Sequence, residues 1–257
     1  MPLAARGAGG KREPATTAQQ DPSHREGRDG KQSNPERTDA SLLVSGEQGP
    51  LDFKNSEPRK RESDSGPVTE ITLVHVADRL GRRAPARREG AGSIQAAVAL
   101  VLAPGEAARL ELLLIKRAEH PGDPWSGQMA LPGGRRQPED QDLLATVARE
   151  TLEEVGVALP LDRLLGELDD LHPRTPLLPP VVVRPFVFGL SHRPAICASR
   201  EVALHLWVPL GELASGLARV EVGIPGRDQR YPGYRVGDHV VWGMTERIIT
   251  PFIELLK

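Results

Sequence analysis

The chain has 257 residues, 26% of them charged, and a formal net charge of −2, enough length for one large domain or two small ones. Such a near balance of signs argues against a nucleic-acid coat or a membrane-surface binder. A single cysteine, Cys197, excludes an intramolecular disulfide framework and fits a reducing compartment.

Residues 1–67 are rich in Pro, Gly, Ser, Gln, Arg and Glu, with "SLLV" and "LDF" as apolar islands. Such a stretch cannot bury enough apolar surface to offset the entropy of ordering it, so a disordered polar tail is expected. The start has no apolar h-region, which argues against a secretory signal and for the cytoplasm; its early arginines leave an organelle transit peptide as a minor alternative. Residues 68–89 read as a short helix and linker, with Leu73, Ala77 and Leu80 at helical spacing. From Ser93, "SIQAAVALVLA" and "RLELLLIKRA" are strand-like runs separated by the turn-forming "PGEA". The longest apolar run, "IQAAVALVLAP", is too short to span a bilayer.

A long helix is expected over residues 141–155. "PVVVRPFVFGL" and "VALHLWVPL" then read as strands, "GYRVGDHVVWG" as one more, and "TERIITPFIELL" as a closing helix. Strands on both sides of a single long helix predict a mixed-sheet α/β domain over residues 90–257, with no internal repeat.

The long helix holds the chemistry. At ~100° per residue, Leu144, Ala148, Leu152 and Val155 make an apolar stripe, and Glu150, Glu153 and Glu154 gather opposite it at i, i+3 and i+4. Like charges at that spacing cost a few tenths of a kcal/mol per pair. A helix that accepts this cost places oxygen donors together, as a hard divalent cation such as Mg²⁺ or Mn²⁺ requires, although a run of acids is more often a plain solvated face. Gly133 and Gly134 before the helix suit a tight turn beside a ligand, and Gly156 suits its C-cap. Arg149 is placed either to pair with Glu153 or to tie the helix to the acidic loop "PEDQD".

"RETLEEVGV", residues 149–157, resembles the second half of the Nudix box, G-x5-E-x7-R-E-U-x-E-E-x-G-U with U apolar. Arg149, Glu150, Glu153, Glu154 and Gly156 are in register, and Thr151 takes the first U position. The first half departs: fourteen residues separate Gly134 from Arg149 where the general box has thirteen, and its glutamate is out of register. That extension is similar to the coenzyme A diphosphatase branch, P-G-G-x-x-D-x-x-D-x5-T-A-x-R-E. Pro132, Gly133, Gly134, Asp140, Thr146, Arg149 and Glu150 match it, with Gln137 and Val147 where Asp and Ala are usual. "GQMALPGG", "EVALHLWVPL" and "WGMTERII" resemble further stretches of that branch, so the likeness covers about residues 90–257. A departure lies upstream, where "LLLIKRAEHPGDPWSGQ" is one residue longer between Arg117 and Gly127, and Trp125 stands in place of a histidine. His120, nearby but out of register, reads as a loop residue.

The resemblance implies a Nudix-type α/β/α sandwich that hydrolyses a nucleoside diphosphate linked to another moiety, such as coenzyme A or a derivative. It implies Glu150, Glu153 and Glu154 as ligands of Mg²⁺ or Mn²⁺, one of them doubling as general base, with Arg149 in the catalytic set. Asp140 would take the loop carboxylate's role of holding Arg149. Glu201 is a further candidate carboxylate, or else a plain strand-edge glutamate. Trp125 and Arg135 are candidates for the substrate loop, against the readings of a core-closing tryptophan and, with Arg136, a solvated basic pair. Cys197 has no nucleophile's surroundings in the sequence. The partners expected are a small nucleotide substrate, with no nucleic acid and no membrane. Two alternatives stand beside the coenzyme A reading: an oxidised nucleotide, dinucleoside polyphosphate or nucleotide sugar as substrate, and a non-catalytic Nudix-fold sensor. The second is disfavoured by the full set of box glutamates.

Overall fold

A computed structural model describes residues 71–88, 93–121, 125–172, 180–223 and 228–257. The tail expected at 1–67 lies outside them. The first element is the helix α1 (Leu73–Gly81), where the Thr72 hydroxyl accepts the His75 N–H as N-cap. Val76 and Leu80 are its buried anchors, whereas Leu73 and Ala77 are half-buried.

The two expected strands follow as β1 (Ile94–Pro104) and β2 (Leu110–Arg117), antiparallel with Leu102 opposite Leu112. Two short strands, β3 (Met129–Ala130) and β4 (Gly133–Arg135), flank the Leu131–Pro132 step. Next come α2 (Leu143–Val155), β5 (Leu164–Glu167), β6 (Val181–Gly189), β7 (Val202–Pro209) and the short α3 (Leu210–Ala214). The chain then forms β8 (Arg219–Gly223), β9 (Arg230–Val236), β10 (His239–Trp242) and α4 (Gly243–Leu255). The single strand expected in "GYRVGDHVVWG" is therefore a hairpin. Val236 pairs with His239 across a two-residue turn, and Gly237 takes the positive φ that such a turn demands.

One sheet runs β3-β2-β1-β6-β5, with β4 also on β1 and β7 on β2; β8, β9 and β10 form a second, three-stranded sheet. In the first sheet β1 and β6 are parallel, from Ile94 against Val181 to Leu102 against Gly189, and the other pairings are antiparallel. Alternate side chains of a strand point to opposite faces, so β1 serves two cores. Ala97, Ala99 and Val101 pack with Val147, Val155 and Phe188 under α2, while Leu100 and Leu102 belong with Val76, Leu80, Ile249 and Phe252 under α1 and α4. The unbroken apolar run of β1 is explained by burial on both faces. A mixed sheet between helices is the expected α/β/α sandwich. Among the described residues no helix is long and apolar enough to cross a membrane.

α1 belongs to this packing and does not act as a mere linker. His75 Nε2 lies 3.0 Å from the Leu256 carbonyl oxygen, and Arg79 Nε donates to the Leu255 carbonyl, so α1 satisfies the open carbonyls at the end of α4. A chain cut to residues 71–257 is expected to keep the melting temperature of the full protein. One cut to 90–257 loses the burial of Val76 and Leu80, on the order of 3–5 kcal/mol in all. Scanning calorimetry of the two truncations checks this, and equal melting temperatures would show α1 to be ornamental.

Candidate active site

α2 is held at both ends by its sequence. The Asp142 carboxylate accepts the Ala145 N–H at 2.7 Å as N-cap, and Gly156 closes the helix in the left-handed conformation. The buried stripe differs from the one expected. Leu143, Thr146, Val147, Thr151, Glu154 and Val155 face inward, and Leu152 is 53% exposed. Leu143, Val147, Thr151 and Val155 form a regular i, i+4 row, hidden in the sequence because it passes through a threonine and runs beside a glutamate. The three glutamates consequently do not share one solvated face. Glu154 is 5% exposed and turned inward, while the Glu153 side chain is 59% exposed.

Glu150 and Glu154 look into one cavity of about 440 Å³, and Glu201 joins them from the residue before β7. The Gly133 N–H donates to Glu154 Oε2 at 2.9 Å. Gly133 (φ 141°) is packed so tightly on β1 that a Cβ would lie 2.2 Å from the Ala97 carbonyl oxygen. A Cβ on Gly134 would lie 2.5 Å from the Glu150 carboxylate. The glycine pair thus lets backbone and carboxylates approach where any side chain would separate them. Burial pushes the Glu154 carboxyl up to about 7, with repulsion from Glu150 and Glu201 adding to it and the Gly133 N–H and Arg117 opposing. Burial also raises Glu150, against the pull of Arg149.

These groups have the chemistry of a hard-cation site: carboxylate oxygens whose mutual repulsion a bound Mg²⁺ or Mn²⁺ would relieve. Among the described residues, however, no three His, Cys, Asp or Glu groups are close enough to share one ion as they stand. Arg149 Nη1 holds Glu150 at 2.9 Å and Glu153 at 3.1 Å.

Both sequence readings of Arg149 are realised at once. Beside its contacts to the glutamates, its Nε and Nη2 donate to the two Asp140 oxygens, each at 2.9 Å. Asp140 also accepts from the Gln137 N–H at 2.8 Å and the Thr146 hydroxyl at 3.0 Å. The Arg149 fork, then the Gln137 N–H, hold its carboxyl well below the usual carboxylate range. The loop "PEDQD" is thereby fastened to the helix.

Trp125 and Arg135 both line the cavity. Arg136 does not: it donates to Gln95 Oε1 and to the Asp140 and Gln141 carbonyls, bracing the loop. The "RR" pair thus splits its roles. The His120 N–H donates to the Ser126 hydroxyl in an exposed loop, and Cys197 is exposed with its N–H on the Val155 carbonyl. Arg117, at the end of β2, enters the cavity without having been singled out in the sequence, where it reads only as the charged end of an apolar strand. The rest of the wall is largely apolar, with Ile94, Val98 and Val183 from the sheet and Met244, Thr245 and Ile248 from α4.

A NUDIX domain model matches residues 93–224, more than half of the chain, and the chain belongs to the Nudix family. It is 38% identical over 107 residues to the uncharacterised protein C14C4.10c of Schizosaccharomyces pombe, covering 40% of this chain and 32% of that one. Nudix hydrolases called NudL are each 34% identical to it: that of Photorhabdus laumondii over 48% of this chain and 66% of its own, and that of Yersinia pestis over 54% and 68%. The match thus spans about a third of the yeast relative and about two thirds of the bacterial ones. A MutT/nudix family protein from Enterococcus faecalis is similar in structure, with a TM-score of 0.45 and 19% identity over 70% of this chain and 68% of that one.

Proposed function

We propose that this protein hydrolyses the pyrophosphate bond of a nucleoside diphosphate joined to another moiety, using Mg²⁺ or Mn²⁺ held by Glu150 and Glu154 with Glu153 and Glu201 in reserve. The observation that carries the reading is the convergence of Glu150, Glu154 and Glu201 on one cavity at the Gly133–Gly134 edge. A divalent cation there would neutralise phosphate charge and lower the pKa of an attacking water. The chain's own residues do the remainder. Arg149 and Asp140 fix α2 against its loop, so the glutamates keep their aim. Arg117 and Arg135 bring positive charge to the same cavity, suited to the phosphates. The apolar wall takes the uncharged part of the substrate, and Trp125 offers it a flat ring.

Within that class we favour coenzyme A or a derivative, because the lengthened box and the stretches "GQMALPGG", "WVPL" and "WGMT" all resemble that branch. The longer loop before Gly127, carrying Trp125, bears on selectivity ahead of chemistry. A panel of nucleotide conjugates incubated with Mg²⁺ or Mn²⁺ is expected to show coenzyme A split into 3′,5′-ADP and 4′-phosphopantetheine, read by mass spectrometry, and no cleavage in excess EDTA. Untouched coenzyme A esters beside a consumed dinucleoside polyphosphate or nucleotide sugar would overturn the substrate and keep the reaction. Turnover that survives EDTA would overturn the metal.

A further inference from the structure

A second cleft, of about 360 Å³, is lined by Arg88, Asp170, Leu171, His172 and Arg247. It contains none of the residues proposed for hydrolysis but adjoins their cavity. His172 Nδ1 lies 2.8 Å from the Val181 carbonyl oxygen, Leu171 bridges to Val183, and Arg247 precedes Ile248 on α4. Val181, Val183 and Ile248 all line the first cavity. The two spaces thus share an apolar partition.

The sign of the second cleft follows from its hydrogen bonds. Asp170 is its one carboxylate, and that side chain is fully buried. Arg184 Nε donates to Oδ1 at 2.8 Å and Arg184 Nη2 to Oδ2 at 3.0 Å; the Arg88 backbone N–H reaches Oδ2 at 2.9 Å, and Arg87 Nη1 lies 3.5 Å from Oδ1. Its charge is spent inside the fold, and the Arg88 side chain takes no part in spending it. Arg88 and Arg247 are both exposed, and among the described residues no carboxylate forms an ion pair with either guanidinium. Because the Val181 carbonyl can only accept, His172 keeps its proton on Nδ1. Two guanidinium forks in a shared recess, with the local acid already neutralised, suit an anion of more than one charge with several acceptor oxygens.

We propose that this cleft is a binding site for a phosphate group, held by Arg88 and Arg247. The phosphate has two sources of the same chemistry: a phosphate monoester on a ligand lying across the apolar partition from the first cavity, or free phosphate. The first source rests on the proposed function, since its ligand occupies the first cavity; the second does not.

Isothermal titration calorimetry of the full chain in EDTA, where no turnover is read, tests it with three probes: inorganic phosphate, AMP and adenosine 3′,5′-bisphosphate. Binding of phosphate, or of the bisphosphate in excess of AMP, is expected to weaken at least about tenfold in the Arg88→Ala/Arg247→Ala double variant, as the loss of charge-assisted bonds dictates. Arg247→Lys, which keeps the charge and loses the fork, is expected to fall between. A bisphosphate advantage over AMP that disappears in the double variant identifies the ligand's own monoester as the source. Arginine-dependent phosphate binding without that advantage identifies free phosphate. Both side chains are exposed, so the double variant should melt with the wild type, and calorimetric scans verify that it is folded. Binding of phosphate and of the bisphosphate that is absent from the wild type, or that the double variant leaves undiminished, overturns the proposal.

Discussion

Replacing Glu154 with Gln is expected to lower kcat at least about a hundredfold while making the metal-free protein more stable at alkaline pH. The two effects have one cause. Glu154 is buried beside Glu150 and Glu201, and its carboxyl is held up to about 7, so above that pH the fold carries a charge it disfavours. The folded chain binds this proton more tightly than the unfolded chain, whose glutamate titrates near 4.5. The stabilisation from the protonated form is therefore complete below about 4.5 and is lost as the pH rises through about 7. Glutamine keeps the shape and an oxygen for the Gly133 N–H but has no charge to lose. In EDTA at pH 8 its gain is at most ~3 kcal/mol, or about 6–12 °C in Tm, and it closes toward pH 4.5. Thermal melts across pH read the stability arm and turnover with Mg²⁺ reads the activity arm. Wild-type turnover by Glu154→Gln would remove this residue from the site, and a pH-independent gap would remove the electrostatic account of its burial.

The second large effect is expected from Arg149→Ala. This guanidinium spans Asp140, Glu150 and Glu153, so its removal releases the loop and sets free the carboxylates it now restrains. A drop of about 10–100-fold in kcat/KM is expected from loss of orientation, since groups that position metal-site carboxylates act at that scale. The pH signature runs opposite to that of Glu154. Asp140 is held below the usual carboxylate range chiefly by Arg149, so its stabilising contribution is present at neutral pH and lost only in strong acid. The deficit of Arg149→Ala against wild type should be widest near neutrality and narrow as the pH falls. Asp140→Asn should reproduce most of it, and the double variant should be little worse than either single one, because one contact is broken twice. Additive losses would mean that the two residues work apart.

The geometry of the candidate site was largely legible in the sequence, because the box fixes spacing and spacing fixes a helix. Asp140 as the partner of Arg149, Gly156 as the cap and the glycine pair as the close-approach edge could all be expected from it. The inward side of α2 could not. Thr151 and Glu154 disguise the i, i+4 row, and a hydrophobicity pattern cannot see a carboxylate that is buried against the Gly133 N–H. The short strands β3 and β4 were missed since two or three residues carry no period, and their pairing with β2 and β1 exists only in the folded sheet. The β9–β10 hairpin rests on the Gly237-Asp238 turn, whose apolar flanks on both sides read as one continuous strand until the pairing folds them back. Arg117 shows a different limit. A basic residue ending an apolar strand looks ordinary until the fold brings it beside the carboxylates.

The match to the family ends at residue 224, yet Met244, Thr245 and Ile248 of α4 form part of the cavity wall, and the Thr245 hydroxyl ties that helix to the Met129 carbonyl at 3.1 Å. One cavity is thus assembled from two stretches of the chain, the family-matched one carrying the carboxylates and the helix beyond it carrying part of the apolar wall. Ile249 and Phe252 of the same helix are buried in the core under β1, so α4 holds the fold as well as lining the cavity. A chain that stopped at residue 224 would lack that wall and leave Val76, Leu80 and Leu100 without the helix they pack against.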